Sequence, residues 1–348
     1  MKQLRIGQIG IGHNHGSAKM EAFRKFPDRF QIVGFAEEDP VWFRERSGLP
    51  AYQGLPRMGV EELLDQCDAV LVETMVPDLT KTAQLCVDAG KHIHLDKPAS
   101  GTLAEFKKML DTAESKNLVV QMGYMYRYNP AVRKALDAVA AGKLGEIYSI
   151  NAEMSTYHSP GYKQWLSTFQ GGIQYILGSH LVDLIVYLLG EPQKVTSFLK
   201  RTGLDGVQFA DNNLSVLEYE KALARVFVSS VEVNGWGRRQ LMISGSKGTI
   251  NIVPLENPIT MTYSDLELTN RPYAHVKEDI AITDVPPDCR YDDMAMDFYD
   301  YVLGIRKNPF TYAHDYTVQK VLLEMIGQDI PTPAQDHPYS PTSGAPIK

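Results

Sequence analysis

Two side chains able to move a proton stand far apart in this chain. Lys97 lies in His94-Leu95-Asp96-Lys97-Pro98, and His180 in Gly178-Ser179-His180-Leu181-Val182-Asp183. Oxidation of a secondary alcohol needs the hydroxyl proton removed as hydride leaves, so a base or cation must sit at that oxygen. A lysine in a partly desolvated cleft titrates nearer to neutrality than in water, and histidine exchanges a proton at physiological pH. Lys97 ends a short apolar run, and Pro98 restricts the backbone after it. His180 and Asp183 are spaced i, i+3, which puts them on one face of a helix introduced by Gly178-Ser179. Taken singly, each group reads as a surface charge or a structural histidine. Their pairing is what points to alcohol oxidation.

Such a reaction needs a hydride acceptor, and the N-terminal end offers a place for one. Gly10-Ile11-Gly12-His13-Asn14-His15 follows an apolar run and opens a helical one, the setting that the dinucleotide fingerprint requires. Glycines there let the backbone turn tightly and approach a pyrophosphate at a helix N-terminus. The third fingerprint position holds His15, with Gly16 one step late. Glu37 ends the next strand-like run, where an acid can accept hydrogen bonds from both ribose hydroxyls and repel a 2′-phosphate. Glu38 and Asp39 add to that repulsion, so NAD is expected over NADP. His13 and His15 form an H-x-H pair, but no cysteine, aspartate or further histidine stands near them in sequence. No metal is expected, and the two histidines are assigned to the lining of the phosphate loop.

The elements that must position these groups are legible in outline. Residues 4–9, 31–36, 68–72, 92–95 and 119–122 read as strands, with helices over 17–26, 60–66, 79–89 and 102–116 between them. Repeated strand–helix units predict a parallel sheet covered on both faces, with ligands at the carboxyl ends of its strands. After Gly123 come a helix over 129–141 and strands over 146–154, 194–200, 213–220, 224–232, 239–244 and 249–253, which suit a mostly antiparallel open sheet. A closing helical pair is expected over 292–305 and 317–326. The reading is therefore α/β: a doubly wound dinucleotide-binding domain over 1–122, an α+β substrate and oligomerisation domain over 123–330, and an extended tail over 331–348.

The whole chain has 348 residues, 44% hydrophobic and 22% charged, with a net charge of -7. That is ordinary globular usage, and the mild acidity without a basic face excludes a nucleic-acid partner. No apolar run is long enough for a membrane span, and no secretory leader is read at the start, so a cytoplasmic protein is expected. Cys67, Cys86 and Cys289 are too scattered for a disulfide framework.

Several further motifs carry a resemblance. Ala89-Gly90-Lys91-His92, Asp96-Lys97-Pro98, Arg127-Tyr128-Asn129-Pro130, Gly142-Lys143-Leu144-Gly145 and the glycine-rich stretch over 171–183 follow one another in a familiar order. Almost end to end, the chain resembles the Gfo/Idh/MocA oxidoreductases, the family of glucose–fructose oxidoreductase, inositol dehydrogenase and the rhizopine-catabolism proteins. The resemblance implies a Rossmann domain, an open-sheet domain that forms dimers or tetramers, and NAD(P)-dependent chemistry on sugars or polyols. It implies Lys97 and His180 as proton-handling groups, Asp183 as a substrate contact, and Trp165 and Tyr291 beside the nicotinamide. Asp96, from its place after the strand, is assigned to the cofactor ribose, and Arg127 to the substrate. Thr74-Met75 and Met125 stand where the family grips the nicotinamide end. The loop Tyr157-His158-Ser159-Pro160-Gly161-Tyr162 interleaves aromatic and polar groups suited to a sugar ring.

One departure is chemical: the family's catalytic aspartate falls on Ile176, which cannot exchange a proton. Two alternatives therefore stand beside a sugar, polyol or glycoside dehydrogenase. One is a redox-assisted lyase, epimerase or glycosidase that recycles bound NAD. The other is a dinucleotide- or sugar-sensing protein that has lost catalysis.

Overall fold

The computed structural model describes residues 2–327 except 170, 207, 270, 272, 274 and 275, with residue 205 described by its backbone. The tail expected over 331–348 lies outside the described residues. The chain divides into two compact units. One runs up to Met125 and includes Pro286–Tyr316, and the other comprises Tyr126–Val285 and the described residues from Thr317 onward.

The first unit contains β1 (Leu4–Ile9), α1 (Gly16–Arg24), β2 (Phe30–Ala36), α2 (Pro40–Arg46), α3 (Val60–Gln66), β3 (Ala69–Val72), α4 (Leu79–Asp88), β4 (His92–Leu95), α5 (Leu103–Ser115) and β5 (Val120–Met122). Its five strands form one parallel sheet in the order β2-β1-β3-β4-β5. Every residue of β3 (Ala-Val-Leu-Val) is buried, as expected when helical crossovers cover both faces of a parallel sheet. The strand order reverses between β1 and β3. In such sheets the crevice at that reversal, outside the carboxyl ends, is where ligands bind. The segments leaving β1, β2, β3 and β4 carry residues 10–16, Glu37, Glu73 and Asp96-Lys97.

The second unit begins with α6 (Pro130–Ala140), β6 (Ile147–Glu153), α7 (Pro160–Leu166), α8 (Gly172–Ile176) and α9 (Gly178–Leu189). Strands β7 (Lys194–Lys200), β8 (Asn212–Glu218), β9 (Leu223–Ser229), β10 (Gln240–Gly245), β11 (Gly248–Ile252), β12 (Met261–Asp265) and β13 (Glu278–Ile280) follow. They build an eight-stranded sheet in the order β13-β12-β11-β10-β6-β9-β8-β7, antiparallel except where β6 meets β9. β8 alternates half-buried with buried residues, the period-2 signature of a sheet with one face covered. Helices α8 and α9 pack on β9, and Gly178–Val186 is buried throughout. On the other face Phe198, Leu214 and Phe227 sit side by side in register, with Leu223 two same-face positions along β9, beyond Arg225.

Some elements differ from the sequence reading. The stretch over 157–165, expected as a loop, turns helical at Pro160, because Ser159 caps α7 by accepting from the Tyr162 N–H. Strands β12 and β13 have no counterpart in that reading, and the last helix, α11 (Tyr312–Met325), starts earlier than position 317. The boundary falls after Met125 rather than 122, and Pro286–Tyr316, expected in the second domain, belongs with the first unit. The reason is aromatic packing: α10 (Asp292–Val302) inserts Ala295, Phe298 and Tyr299 into the core of the parallel-sheet unit. Phe298 meets Phe23 edge-on at 6.0 Å, and Tyr299 meets Phe30 edge-on at 5.7 Å. Truncating a fully buried phenylalanine costs about 3–5 kcal/mol. Phe298→Ala is expected to lose that much in urea unfolding, and a loss below about 1 kcal/mol contradicts this packing.

Candidate functional site

The first unit buries a cluster of charges at the carboxyl ends of its strands. Asp96 leaves β4 with no exposed surface. Its Oδ2 lies 2.7 Å from His13 Nδ1 and 3.1 Å from His15 Nδ1. Its Oδ1 accepts from Lys19 Nζ at 3.1 Å and from the Lys97 backbone N–H at 2.6 Å. Lys19 also bonds Glu73 Oε1 at 3.0 Å, at the end of β3. Gly123, just after β5, completes the wall: a Cβ there would come within 2.7 Å of Lys19 Nζ.

Burial alone would raise the Asp96 pKa, but His13, Lys19 and His15 outweigh it and hold the carboxyl well below its usual range. Burial, and next the Asp96 charge, push Glu73 the other way, well above its usual range. Burial lowers both His13 and His15. Each Nδ1 lies within hydrogen-bond reach of Asp96 Oδ2, and His13 Nδ1 also accepts from the His15 backbone N–H at 3.3 Å.

The glycine turn is built as the fingerprint requires. Gly10 has φ +83°, and a Cβ on it would stand 2.5 Å from the Thr74 backbone, so β1 and β3 approach too closely at this point for any side chain. Helix α1 starts at Gly16, one step past the third fingerprint position. Among the described residues the backbone N–H groups of Gly12 and Asn14 find no acceptor, and the buried Thr74 Oγ1 has no partner. Unsatisfied donors grouped at a glycine turn before a helix fit a pyrophosphate. Glu37 Oε2 accepts from the Ile11 N–H at 2.8 Å and Oε1 from the Asp39 N–H at 2.9 Å. Tyr291 stands at the start of α10 with its ring 6.4 Å from that of His15. Met75 precedes a short 3-10 turn, and Met125 Sδ contacts Arg290 Nε. Lys97 is 1% exposed.

The second unit gathers a different group. The Tyr126 ring stands edge-on to His180 at 5.2 Å. Tyr126 donates its hydroxyl to Glu256, which also receives Arg239 Nη1 at 2.8 Å. Arg239 reaches Thr156 Oγ1 at 2.6 Å. His158 stacks on Tyr162 at 4.4 Å, and Tyr162 leans on Trp165 at 5.1 Å. The Lys163 ammonium lies 5.0 Å above the Tyr157 ring. Burial first, then Arg239 and Lys163, lower the His158 pKa. Ile176 is buried in α8. Arg127 and Asp183, the two expected substrate contacts, bond each other at 2.6 and 2.9 Å, both nearly sealed from solvent.

Sequence reasoning missed Lys19, Glu73, Tyr126, Arg239 and Glu256. Lys19 left a signal: it shares the buried stripe of α1 with Gly16, Met20 and Phe23, and a charge on an apolar stripe implies a buried counter-charge. The absence of a third ligand near His13 and His15 holds only along the sequence. The fold brings Asp96 to them.

Residues 4–124 match the model described as "Oxidoreductase family, NAD-binding Rossmann fold", and residues 132–251 match the "GFO/IDH/MocA C-terminal domain". Trans-1,2-dihydrobenzene-1,2-diol dehydrogenase of Macaca fuscata fuscata is 25% identical over 84% of each chain. Levoglucosan dehydrogenase of Pseudarthrobacter phenanthrenivorans is 28% identical over 57% of this chain and 54% of its own. A solved levoglucosan dehydrogenase, in complex with NADH and levoglucosan, superposes with a TM-score of 0.80 at 19% identity, covering 93% of this chain and 96% of its own. Among the described residues no helix is long and apolar enough to cross a membrane.

The Arg127–Asp183 pair yields a prediction. Removing one partner of a buried ion pair strands the other charge at a cost of about 3–5 kcal/mol, whereas replacing both with apolar groups is close to neutral. Arg127→Leu is expected to lose that much in chemical denaturation, and Arg127→Leu with Asp183→Leu to recover most of it. A double variant as unstable as the sum of its singles contradicts the pairing.

Proposed function

The chain belongs to the Gfo/Idh/MocA family of oxidoreductases, and on that premise we propose an NAD-dependent dehydrogenase acting on a secondary hydroxyl of a sugar, cyclic polyol or glycoside. The observation that carries this reading is the turn over residues 10–16 at the β1/β3 reversal, with unsatisfied N–H groups at Gly12 and Asn14 and Glu37 bonded to the Ile11 N–H. When bound there, NAD supplies the acceptor for hydride. The chain's own groups hold it and manage the proton. Gly12, Asn14 and Thr74 offer donors to the pyrophosphate side. Each Glu37 oxygen retains a lone pair for a ribose hydroxyl, and Glu37, Glu38 and Asp39 disfavour a 2′-phosphate. Arg57, whose Nη2 bonds the Glu37 carbonyl at 2.8 Å, is the group through which NADP would be held instead.

Lys97 and His180 take up the hydroxyl proton as hydride leaves, so the alcohol carbon becomes a carbonyl and one proton is released. The stacked His158–Tyr162 pair and its neighbours offer flat apolar surface beside polar groups, which suits a sugar ring. The exposed Phe198 and Leu223 on the sheet's open face support self-association there.

Titration with NADH and NADPH, read by nicotinamide fluorescence, is expected to favour NADH by at least about tenfold, or about 1.4 kcal/mol. A preference for NADPH transfers the cofactor reading to Arg57. Positioned acid–base groups contribute roughly a hundred- to ten-thousandfold. Lys97→Ala should therefore lose turnover on that scale in a sugar and polyol screen while keeping its NADH affinity. Unchanged turnover removes Lys97 from the chemistry.

A further inference from the structure

We propose that His13, His15 and Asp96, with Glu73 behind them, form a site for one divalent transition-metal ion of the zinc or iron(II) class. Three ligand atoms converge: Asp96 Oδ2 lies 2.7 Å from His13 Nδ1 and 3.1 Å from His15 Nδ1. Around a tetrahedral ion with bonds of about 2.1 Å, neighbouring donors stand about 3.4 Å apart, so the two Asp96 contacts open by less than about 1 Å to admit one, and the three ligand atoms already lie within 4.8 Å of one another. Two imidazoles and a carboxylate are the donor set that selects zinc or iron over magnesium and calcium, which prefer oxygen alone.

A second observation points the same way. Glu73 Oε2 is buried with no hydrogen-bond partner among the described residues, and it lies 4.0 Å from His13 Nδ1. An ion beside the histidines has this oxygen within reach as a further ligand. Lys19 does not fill this place. Its ammonium holds Asp96 Oδ1 and Glu73 Oε1, and leaves the other oxygen of each carboxylate on the histidine side. The arrangement divides the two carboxylates between a fixed internal cation and an exchangeable one. An ion in this position ties the loop over 10–16 to the ends of β3 and β4. This site does not rest on the NAD reading.

The test is metal binding by the full chain, without cofactor or turnover. Protein stripped with a chelator is titrated calorimetrically with Zn2+ and, separately, with Mg2+. Co2+ is then added as a spectroscopic probe, because its visible bands report nitrogen ligation. One Zn2+ per chain, no Mg2+ heat, and Co2+ bands lost in His15→Ala are expected, with zinc affinity in that variant at least a hundredfold weaker. His13→Gln, which keeps a polar group in the buried position, should weaken zinc similarly while its circular dichroism stays native. Failure of the wild type to bind Zn2+, or retention of full affinity by both variants, overturns the site. A dinucleotide titration on the same stripped protein keeps this outcome separate from the NAD reading.

Discussion

The first unit is organised around one buried carboxylate. Asp96 has no exposed surface, and four donors from three segments meet its two oxygens: His13 and His15 after β1, Lys19 on α1 and the Lys97 N–H of its own turn. Desolvating an isolated carboxylate costs several kcal/mol, and only this density of donors offsets it. The glycine turn is thus held from below by its histidines. Helix α1 is anchored to the ends of β3 and β4 by Lys19, and Lys97 is set at a fixed point beside both. Dinucleotide loops are usually described by their glycines. In this chain Gly10 provides the close approach, and the Asp96 cluster fixes where the loop sits.

The second unit uses buried charge in the same way but for other ends. Arg127–Asp183 joins the segment before α6 to α9, and Arg239–Glu256 joins the start of β10 to the segment after β11, with Tyr126 bridging toward His180. Both pairs hold elements that approach only in three dimensions. Asp183, on the same helix that carries His180, is thereby tied to Arg127.

What is legible in the sequence is local. The parallel sheet can be read because its strands are short apolar runs separated by helices of ordinary length. Gly10, Gly12 and Glu37 can be read because the fingerprint is a matter of spacing. The second sheet emerges in outline, but β12 and β13 are short and polar and give little periodic signal. Helix α7 escapes the sequence reading although Ser159-Pro160 repeats the cap-then-proline start that Asn129-Pro130 gives α6. There the aromatic content of the segment outweighs its boundary residues. The charged cluster cannot be read in full, since Asp96 and Glu73 reach His13 and Lys19 only through the sheet. Long-range pairing leaves no spacing behind. Lys19 alone betrays it, as a cation on a buried face.

The measurement that tests this account most directly is the unfolding free energy of Asp96→Asn. The amide keeps the shape of the side chain but removes the charge and one acceptor, leaving Lys19 and the two histidines without their common partner. If the buried carboxylate organises the first unit, the variant loses about 3–5 kcal/mol, as expected for breaking a buried ionic cluster. A variant within about 1 kcal/mol of the wild type would contradict the organising role of Asp96.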